Sequence, residues 1–445
     1  MKVFFVSLGC DKNSVDSEVM LSLLSKAGHT ITDDEYEADI AVINTCCFIG
    51  DAKEESISTI IELGRLKEEA SLKLLIITGC LGQRYKDEIH KELPEVDVIL
   101  GTNSIDMIVQ AIDDFFGDKV KDHFRDINDT PVYGKGRLVT TGGHYDYLKI
   151  AEGCNKRCTY CVIPYVRGAY RSVPMEELIK EAKALAEGGV RELILVAQEI
   201  TLYGTDLYGH KTLPELLRKL CEIPDLSWIR LLYCYPEEIT DELIEVIADE
   251  KKIVKYIDIP IQSGSDEILR RMGRRTTHDE ILSLIKKLRE QIPGIAIRTT
   301  LISGFPGETK KDHLESVRLV KEASFEKLGV FTYSPEEDTP AFSFPDQIKE
   351  SVKEKRRDEI MSIQQDIAFK KASSFKGDIL SVFVEGYIPE DNIYVGRTYM
   401  DAPDVDGYIF IDSDRELNSG DMVRCEVTSS NGYDLVGKFL DYEEI

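Results

Sequence analysis

The sequence predicts an α/β protein in three parts. These are an N-terminal α/β domain on a parallel sheet, a central partial (β/α)6 barrel, and a C-terminal five-stranded antiparallel β-barrel. Three observations predict this. Short buried-strand patterns alternate with amphipathic helical ones over the first third of the chain. The alternation restarts near residue 147 and runs through six strand–helix units. From Lys376 it gives way to short strands separated by Gly, Asn and Asp turns.

The elements follow in order. Lys2–Gly9, Asp39–Thr45 and Lys73–Gly79 are short runs rich in Val, Ile, Leu and Phe, the composition of buried strands. Ser17–Ala27 and Ala52–Glu69 have the apolar spacing of helices that would cover them. Together they predict a first domain over 1–120. Residues 121–146, rich in Gly, Asp and Thr and without periodicity, read as a linker. A central domain over 147–375 is expected from strands at Tyr147–Glu152, Glu192–Gln198, Trp228–Tyr233, Tyr256–Ile261, Ala296–Ile302 and Lys327–Tyr333. Helical patterns such as Met175–Ala186, His278–Gln291 and Lys311–Glu322 lie between them, and a charged helical stretch, Gln347–Phe375, closes the domain. The last domain, 376–445, has strand patterns at Ile379–Gly386, Asn392–Arg397, Gly407–Ile411, Met422–Ser429 and Asp434–Leu440.

Composition narrows the class. The chain of 445 residues is 42% hydrophobic, enough for several cores. No apolar run approaches the roughly 20 residues of a membrane span. Val3–Leu8 is too short for a signal-peptide core, so a cytoplasmic protein is expected. The balance of 55 Lys and Arg against 81 Asp and Glu, net −26, argues against direct nucleic-acid binding, which relies on a basic face. It favours a basic protein partner.

There are ten cysteines. In a reducing compartment, clustered cysteines point to metal or redox work. Cys154, Cys158 and Cys161 have the spacing Cys-x3-Cys-x2-Cys. The run begins at the C-terminal end of the first barrel strand, the edge that hosts chemistry in such folds. Three thiolates are one short of the four that usually hold a [4Fe–4S] cluster, which leaves one iron open to a ligand. A zinc site is the plainer alternative, but zinc modules pair Cys-x2-Cys with a matching second pair, which this sequence lacks.

Cys10, Cys46 and Cys80 are far apart in sequence, yet each directly follows a predicted strand. Neighbouring strands lie about 4.8 Å apart. The three thiols can therefore converge on one rim, where open α/β sheets place their ligands. Three inert core cysteines are the alternative, and equivalent placement at three strand ends argues against it. Cys47 competes with Cys46, which is the one in register with the other two. Cys221, Cys234 and Cys425 stand alone among apolar residues and read as core.

The central cysteine motif resembles that of the radical S-adenosylmethionine superfamily. The resemblance implies that the open iron chelates the amino and carboxylate groups of S-adenosyl-L-methionine, whose reductive cleavage yields a 5′-deoxyadenosyl radical. Gly304-Phe305-Pro306-Gly307-Glu308 is similar to the superfamily's glycine-containing cofactor-contact motif. Gln198, Glu199, Gln262 and Ser263 end other strands and are candidate contacts to the same cofactor, with Arg298 a further one. Each alone also fits an ordinary loop glycine or strand-end polar residue.

Two three-cysteine sites followed by a small β-barrel resemble the methylthiotransferases over essentially the whole chain. The resemblance implies two [4Fe–4S] clusters, one per trio, and a C-terminal TRAM domain, OB-like, that grips the substrate. It also implies a low-potential electron donor such as a flavodoxin or ferredoxin. Hydrogen is removed from an unactivated C–H bond, far too weak an acid for a side-chain base, so no acid–base residue is assigned. Branches of the family modify either a tRNA adenosine or the β-carbon of an aspartate of ribosomal protein S-twelve of the small subunit. Leu8-Gly9-Cys10-Asp11-Lys12-Asn13 is similar to the ribosomal-protein branch, as are Gly396-Arg397-Thr398, Asp401-Ala402-Pro403 and Asp406-Gly407. Residues 376–445 hold five Lys and Arg against sixteen Asp and Glu, a net of −11. Such a domain repels an RNA backbone and attracts a basic ribosomal protein. The tRNA enzyme is the alternative within the family. A non-catalytic iron–sulfur or zinc protein is the alternative from another class.

Overall fold

A computed structural model describes residues 1–119 and 122–443. The expected boundary between residues 120 and 121 lies outside the described residues.

The N-terminal sheet has five parallel strands, in the spatial order Thr30–Thr32, Lys2–Ser7, Ile40–Thr45, Leu74–Thr78 and Val98–Ile99. The three middle strands are those expected from composition. Ile40–Thr45 and Leu74–Thr78 are buried along their whole length between helices on both faces. The two edge strands are too short to show a pattern in the sequence. This strand order reverses direction between Lys2–Ser7 and Ile40–Thr45, and doubly wound sheets bind ligands at the C-terminal side of such a point.

Within the expected linker, residues 122–146 form a packed strap. Leu138 N–H donates to Glu18 O at 3.1 Å. Arg137, its side chain only 3% exposed, lies among Glu18, Asp146 and Glu181, with the Glu181 pair at 3.1 Å. A strap held by one buried arginine has no periodicity, which is why the sequence read as a linker.

The central sheet has six parallel strands in sequential order, Tyr145–Lys149, Glu192–Val196, Trp228–Leu231, Ile253–Gln262, Ala296–Ser303 and Lys327–Thr332. The first begins at Tyr145, not Tyr147. Ala151–Glu152, expected to continue it, pairs instead with Arg171–Ser172. Leu148, Leu193, Leu195 and Ile257 face the covering helices. Ile194, Trp228 and Tyr256, from the alternate positions, face inward. The charged helix Glu350–Ser374 packs across the last two strands.

Five strands, Ile379–Ile388, Ile393–Thr398, Ile409–Asp412, Met422–Asn431 and Asp434–Tyr442, close the C-terminal barrel. One feature differs from the expectation of a fully antiparallel barrel: Ile409–Asp412 pairs in parallel with Asp434–Tyr442. The reason is parity, since an odd number of strands cannot alternate direction all the way round a closed ring. This barrel fills the open side of the central one. Val382, Phe383 and Met400 share a single apolar cluster with Ile194, Trp228 and Tyr256. The Phe383 ring lies 4.6 Å from that of Trp228, edge to face.

Candidate functional site

The first cysteine rim is built by strand register. Ser7 pairs with Asn44, and Asn44 with Thr78, so three strand ends lie side by side. Asn13, on the first turn of the Asp11–Lys26 helix, fastens them. Its Nδ2 donates to Leu8 O at 2.8 Å and to Thr45 O at 3.1 Å. Ser56 Oγ holds the Cys46 backbone from both sides, at 3.0 Å each. A Cβ placed on Gly9 would fall 3.1 Å from Cys46 Sγ, so the turn into Cys10 lies directly against that thiol. Cys46 and Cys80 are each 8% exposed, whereas Cys47 is wholly buried.

Burial pushes the Cys46 thiol up to about 11, and the neighbouring Cys80 and Cys10 sulfurs add to this. Cys80 is pushed up by burial too and is pulled back by Arg167. Arg167 Nε donates to Cys80 Sγ at 3.4 Å. A guanidinium at the rim favours the thiolate, the form that binds iron.

Arg167 comes from the second site. It lies six residues past Cys161, a chain length of at most about 20 Å. Besides Cys80, it donates to Asp16 at 2.8 Å, Glu152 at 3.2 Å and Asn13 Oδ1 at 2.6 Å. Burial works against its charge, but Cys80, Glu152 and Asp16 hold it protonated. Lys149 joins the same network through Asp16 and Glu152. Across the seam, Tyr233, just beyond the Trp228–Leu231 strand, donates from its hydroxyl to Asp11 Oδ1 at 3.2 Å. Lys12 lies 3.4 Å from the centre of the Tyr233 ring and 2.7 Å from Asp11. The first rim therefore closes over the mouth of the central barrel.

Cys154, Cys158 and Cys161 occupy the loop after the first barrel strand and the short Ala151–Glu152 strand. Cys154 is 8% exposed and Cys158 4%. Thr159 anchors the loop, donating from its backbone to Met272 O and from its side chain to Arg271 O, each at 2.9 Å. Burial pushes Cys154 up to about 11 and raises Cys161 as well. Among the described residues, no three His, Cys, Asp or Glu side chains converge tightly enough to grip a single metal ion. A four-iron cube is held at its corners and needs its thiolates farther apart.

The structure separates the other candidates. Glu199 is fully buried near Cys154. One of its oxygens is held by Thr201, Oε2 accepts no hydrogen bond and has only Lys156 Nζ at 3.8 Å, and burial pushes the acid up to about 7. Gln198 donates to Glu152 at 2.9 Å while its Oε1 is buried without a partner. Gln262, at φ +77°, ends its strand beside buried Ser263, whose Oγ accepts from the Ser265 backbone at 3.2 Å. Gly304 and Gly307 flank Phe305, whose ring lies 6.4 Å from Tyr160 in the cysteine loop. Glu308 is engaged elsewhere, accepting from Gly304 N–H at 3.1 Å and pairing with Arg356 at 2.7 Å. Arg298 pairs with Asp258 at 3.2 Å and with Asp406 of the C-terminal barrel at 3.6 Å, away from the cysteine loop.

The site fits the groups that the motifs imply. Each set of three thiols, two of them buried, lies beside a cation, Arg167 for the first and Lys156 for the second. Glu199 Oε2 and Gln198 Oε1 are buried without a hydrogen bond, as acceptors for the amino group of a polar cofactor would be. Sequence reasoning missed Arg167 and Tyr233 and read Lys12 only as part of a branch motif. Arg167 and Tyr233 lie in no cysteine spacing or glycine motif, and burial of such side chains has no local signal.

Comparison with known proteins agrees with this geometry. The radical SAM superfamily matches residues 148–320, the uncharacterized protein family UPF0004 residues 2–101, and the TRAM domain residues 377–440. A radical S-adenosylmethionine methyltransferase, TsrM from Kitasatospora setae, is similar in fold, with a TM-score of 0.54 at 15% identity over 76% of each chain. The cobalamin-dependent S-adenosylmethionine radical enzyme OxsB aligns with a TM-score of 0.51 at 12% identity, over 82% of this chain and 56% of its own. Fold and site together define a radical SAM architecture, whose cofactors are S-adenosylmethionine and an iron–sulfur cluster.

The sequence relatives are closer. Ribosomal protein uS12 methylthiotransferase RimO of Lachnoclostridium phytofermentans is 59% identical over 98% of this chain and 99% of its own. Its namesake in Acetivibrio thermocellus is 49% identical over 99% and 98%. The chain belongs to the family of ribosomal protein uS12 methylthiotransferases.

Proposed function

We propose that this chain inserts a methylthio group at the β-carbon of an aspartate of ribosomal protein S-twelve, using two [4Fe–4S] clusters and S-adenosylmethionine. The observation that carries the reading is Arg167, which joins the loop of one cysteine trio to the rim of the other. The close relatives support the ribosomal-protein branch over the tRNA branch.

When bound, an open-iron cluster at Cys154, Cys158 and Cys161 supplies the electron that cleaves S-adenosylmethionine, and one at Cys10, Cys46 and Cys80 supplies the sulfur. The chain's own residues do the positioning. Arg167, Asp16, Glu152 and Lys149 lock the two rims in one orientation. Glu199 and Gln198 are proposed to present their unbonded buried oxygens as acceptors to the cofactor. Gln262, Ser263, Gly304 and Gly307 are proposed to line the cofactor's other side. The buried seam excludes water, which protects reactive species from quenching. Residues 1–120, 147–375 and 376–445 are proposed as the sulfur, radical and substrate-gripping domains. The acidic last domain would meet the basic ribosomal protein in the cytoplasm, and a flavodoxin or ferredoxin would deliver electrons.

The test is mass spectrometry of ribosomal protein S-twelve and of bulk tRNA after anaerobic incubation with reconstituted, reduced enzyme. A methylthio group on an aspartate-containing peptide supports the reading. An unmodified peptide beside methylthiolated tRNA would refute it.

A further inference from the structure

Arg274 is 6% exposed and sits against the loop of the second cysteine trio. Its neighbour Gly273 packs on that loop, with a Cβ position 3.8 Å from Cys158 Cα and 3.7 Å from Arg157 O. The guanidinium lies 4.2 Å from the centre of the Tyr235 ring, and the Tyr235 hydroxyl is 3.9 Å from Cys158 Sγ. Nη2 donates to Pro260 O at 2.7 Å. Nε and Nη1 are buried and have no partner.

Four other cations of this region are matched by carboxylates, whereas half-buried Arg171 on the neighbouring short strand, like Arg274, has an unpartnered Nε and Nη1. Arg137 has Glu18, Asp146 and Glu181; Arg167 has Asp16 and Glu152. Lys156 has Glu237 and Glu238, and Arg298 has Asp258. Among the described residues, no carboxylate lies within ion-pair distance of Arg274. An uncompensated guanidinium in an apolar interior is strongly destabilising unless an anion joins it. Three thiolates around an iron–sulfur cluster are such an anion.

We infer that Arg274 is the electrostatic partner of the cluster held by Cys154, Cys158 and Cys161, and that its free N–H groups would donate to sulfur of that cluster and set the potential at which it takes up its electron. This rests on the cluster assignment in the proposed function. The step is the uptake of one electron from the low-potential flavodoxin or ferredoxin. No bond forms or breaks in it, and the added negative charge stays on the cluster. A nearby cation and hydrogen bonds to sulfur favour the reduced state, so Arg274 raises the potential. Charge and donor geometry both contribute, and lysine reproduces only the first.

The experiment uses full-length protein with Cys10→Ala, Cys46→Ala and Cys80→Ala, so that one cluster is read. After anaerobic reconstitution, iron is counted and the cluster is titrated by electron paramagnetic resonance. Arg274→Gln is expected to titrate at a more negative potential than this parent, with Arg274→Lys between them. Equal potentials for Gln variant and parent would overturn the inference. So would an unchanged potential with weakened S-adenosylmethionine binding, which would assign the guanidinium to the cofactor carboxylate. Should the Gln variant not assemble a cluster, a Lys variant titrating at the parent's potential would overturn it. A parent without any cluster would instead refute the underlying cysteine assignment.

Discussion

Arg167 concentrates the residue-scale argument. It is 2% exposed and bonds Cys80, Asp16, Glu152 and Asn13 at once. Removing one partner of a buried network leaves the others uncompensated, at a cost of about 3–5 kcal/mol. Arg167→Met should therefore lower the thermal midpoint strongly and also reduce iron at the first rim. A variant of unchanged stability and iron content would show the network to be incidental. Gly79 gives the second prediction. It has φ +86°, and a Cβ there would fall 2.4 Å from both Asn44 Oδ1 and Thr45 O. Gly79→Ala should cost about 1–3 kcal/mol from backbone conformation alone and displace Cys80 from the rim. Thermal unfolding and iron counting test both effects. At this scale the placement of Cys10, Cys46 and Cys80 just past three neighbouring strands was legible, because buried strands leave an apolar run that ends where each cysteine stands. Arg298 and Glu308, expected as cofactor contacts, are engaged in ion pairs within the chain. A strand-end position does not reveal that Asp406 or Arg356 will claim the side chain.

Among the elements, the buried strands that bear the first rim were readable because two covered faces demand unbroken apolar runs. The edge strands Thr30–Thr32 and Val98–Ile99 were not, being too short to show a period. The strap before Tyr145 was read as a linker, and it pins the first barrel strand to the N-terminal helix. That pin titrates. Burial pushes Asp146 up to about 7, against the pull of Arg137 and with the help of Glu18. A carboxyl whose folded value is raised contributes stability at low pH and loses it as pH rises toward that value. The loss should fall between the ordinary 3.8 and about 7. Asp146→Asn does not ionise, so it should gain thermal stability relative to wild type as pH is raised from 5 to 8. A difference in midpoint that stays constant over this range would contradict the assignment.

For the whole molecule, the decisive feature is that the C-terminal barrel completes the central one. Arg397, 1% exposed, reaches Glu192 at 2.7 Å and Glu385 at 2.6 Å. Tyr256 donates to Asp406 at 2.8 Å, and Lys327 pairs with Asp401 at 2.6 Å. Arg397→Ala should cost about 3 kcal/mol and make the C-terminal barrel easier to cleave in limited proteolysis. Resistance equal to wild type would contradict this. The acidity of residues 376–445 was plain in the sequence, but the interface was not. Asp401 and Asp406 count toward that negative charge yet are spent on contacts within the chain. Glu390, Asp391, Asp412, Asp414 and Glu416 are exposed, so association with a basic substrate protein should weaken as salt is raised from low to physiological strength.

The central claim is that two trios of thiolates each hold a four-iron cluster across one seam. Iron and sulfide counting on anaerobically reconstituted protein tests it most directly. The account predicts about eight irons per chain, falling to about four when either Cys10, Cys46 and Cys80 or Cys154, Cys158 and Cys161 are replaced by Ala. A full load of iron surviving either triple replacement would contradict it.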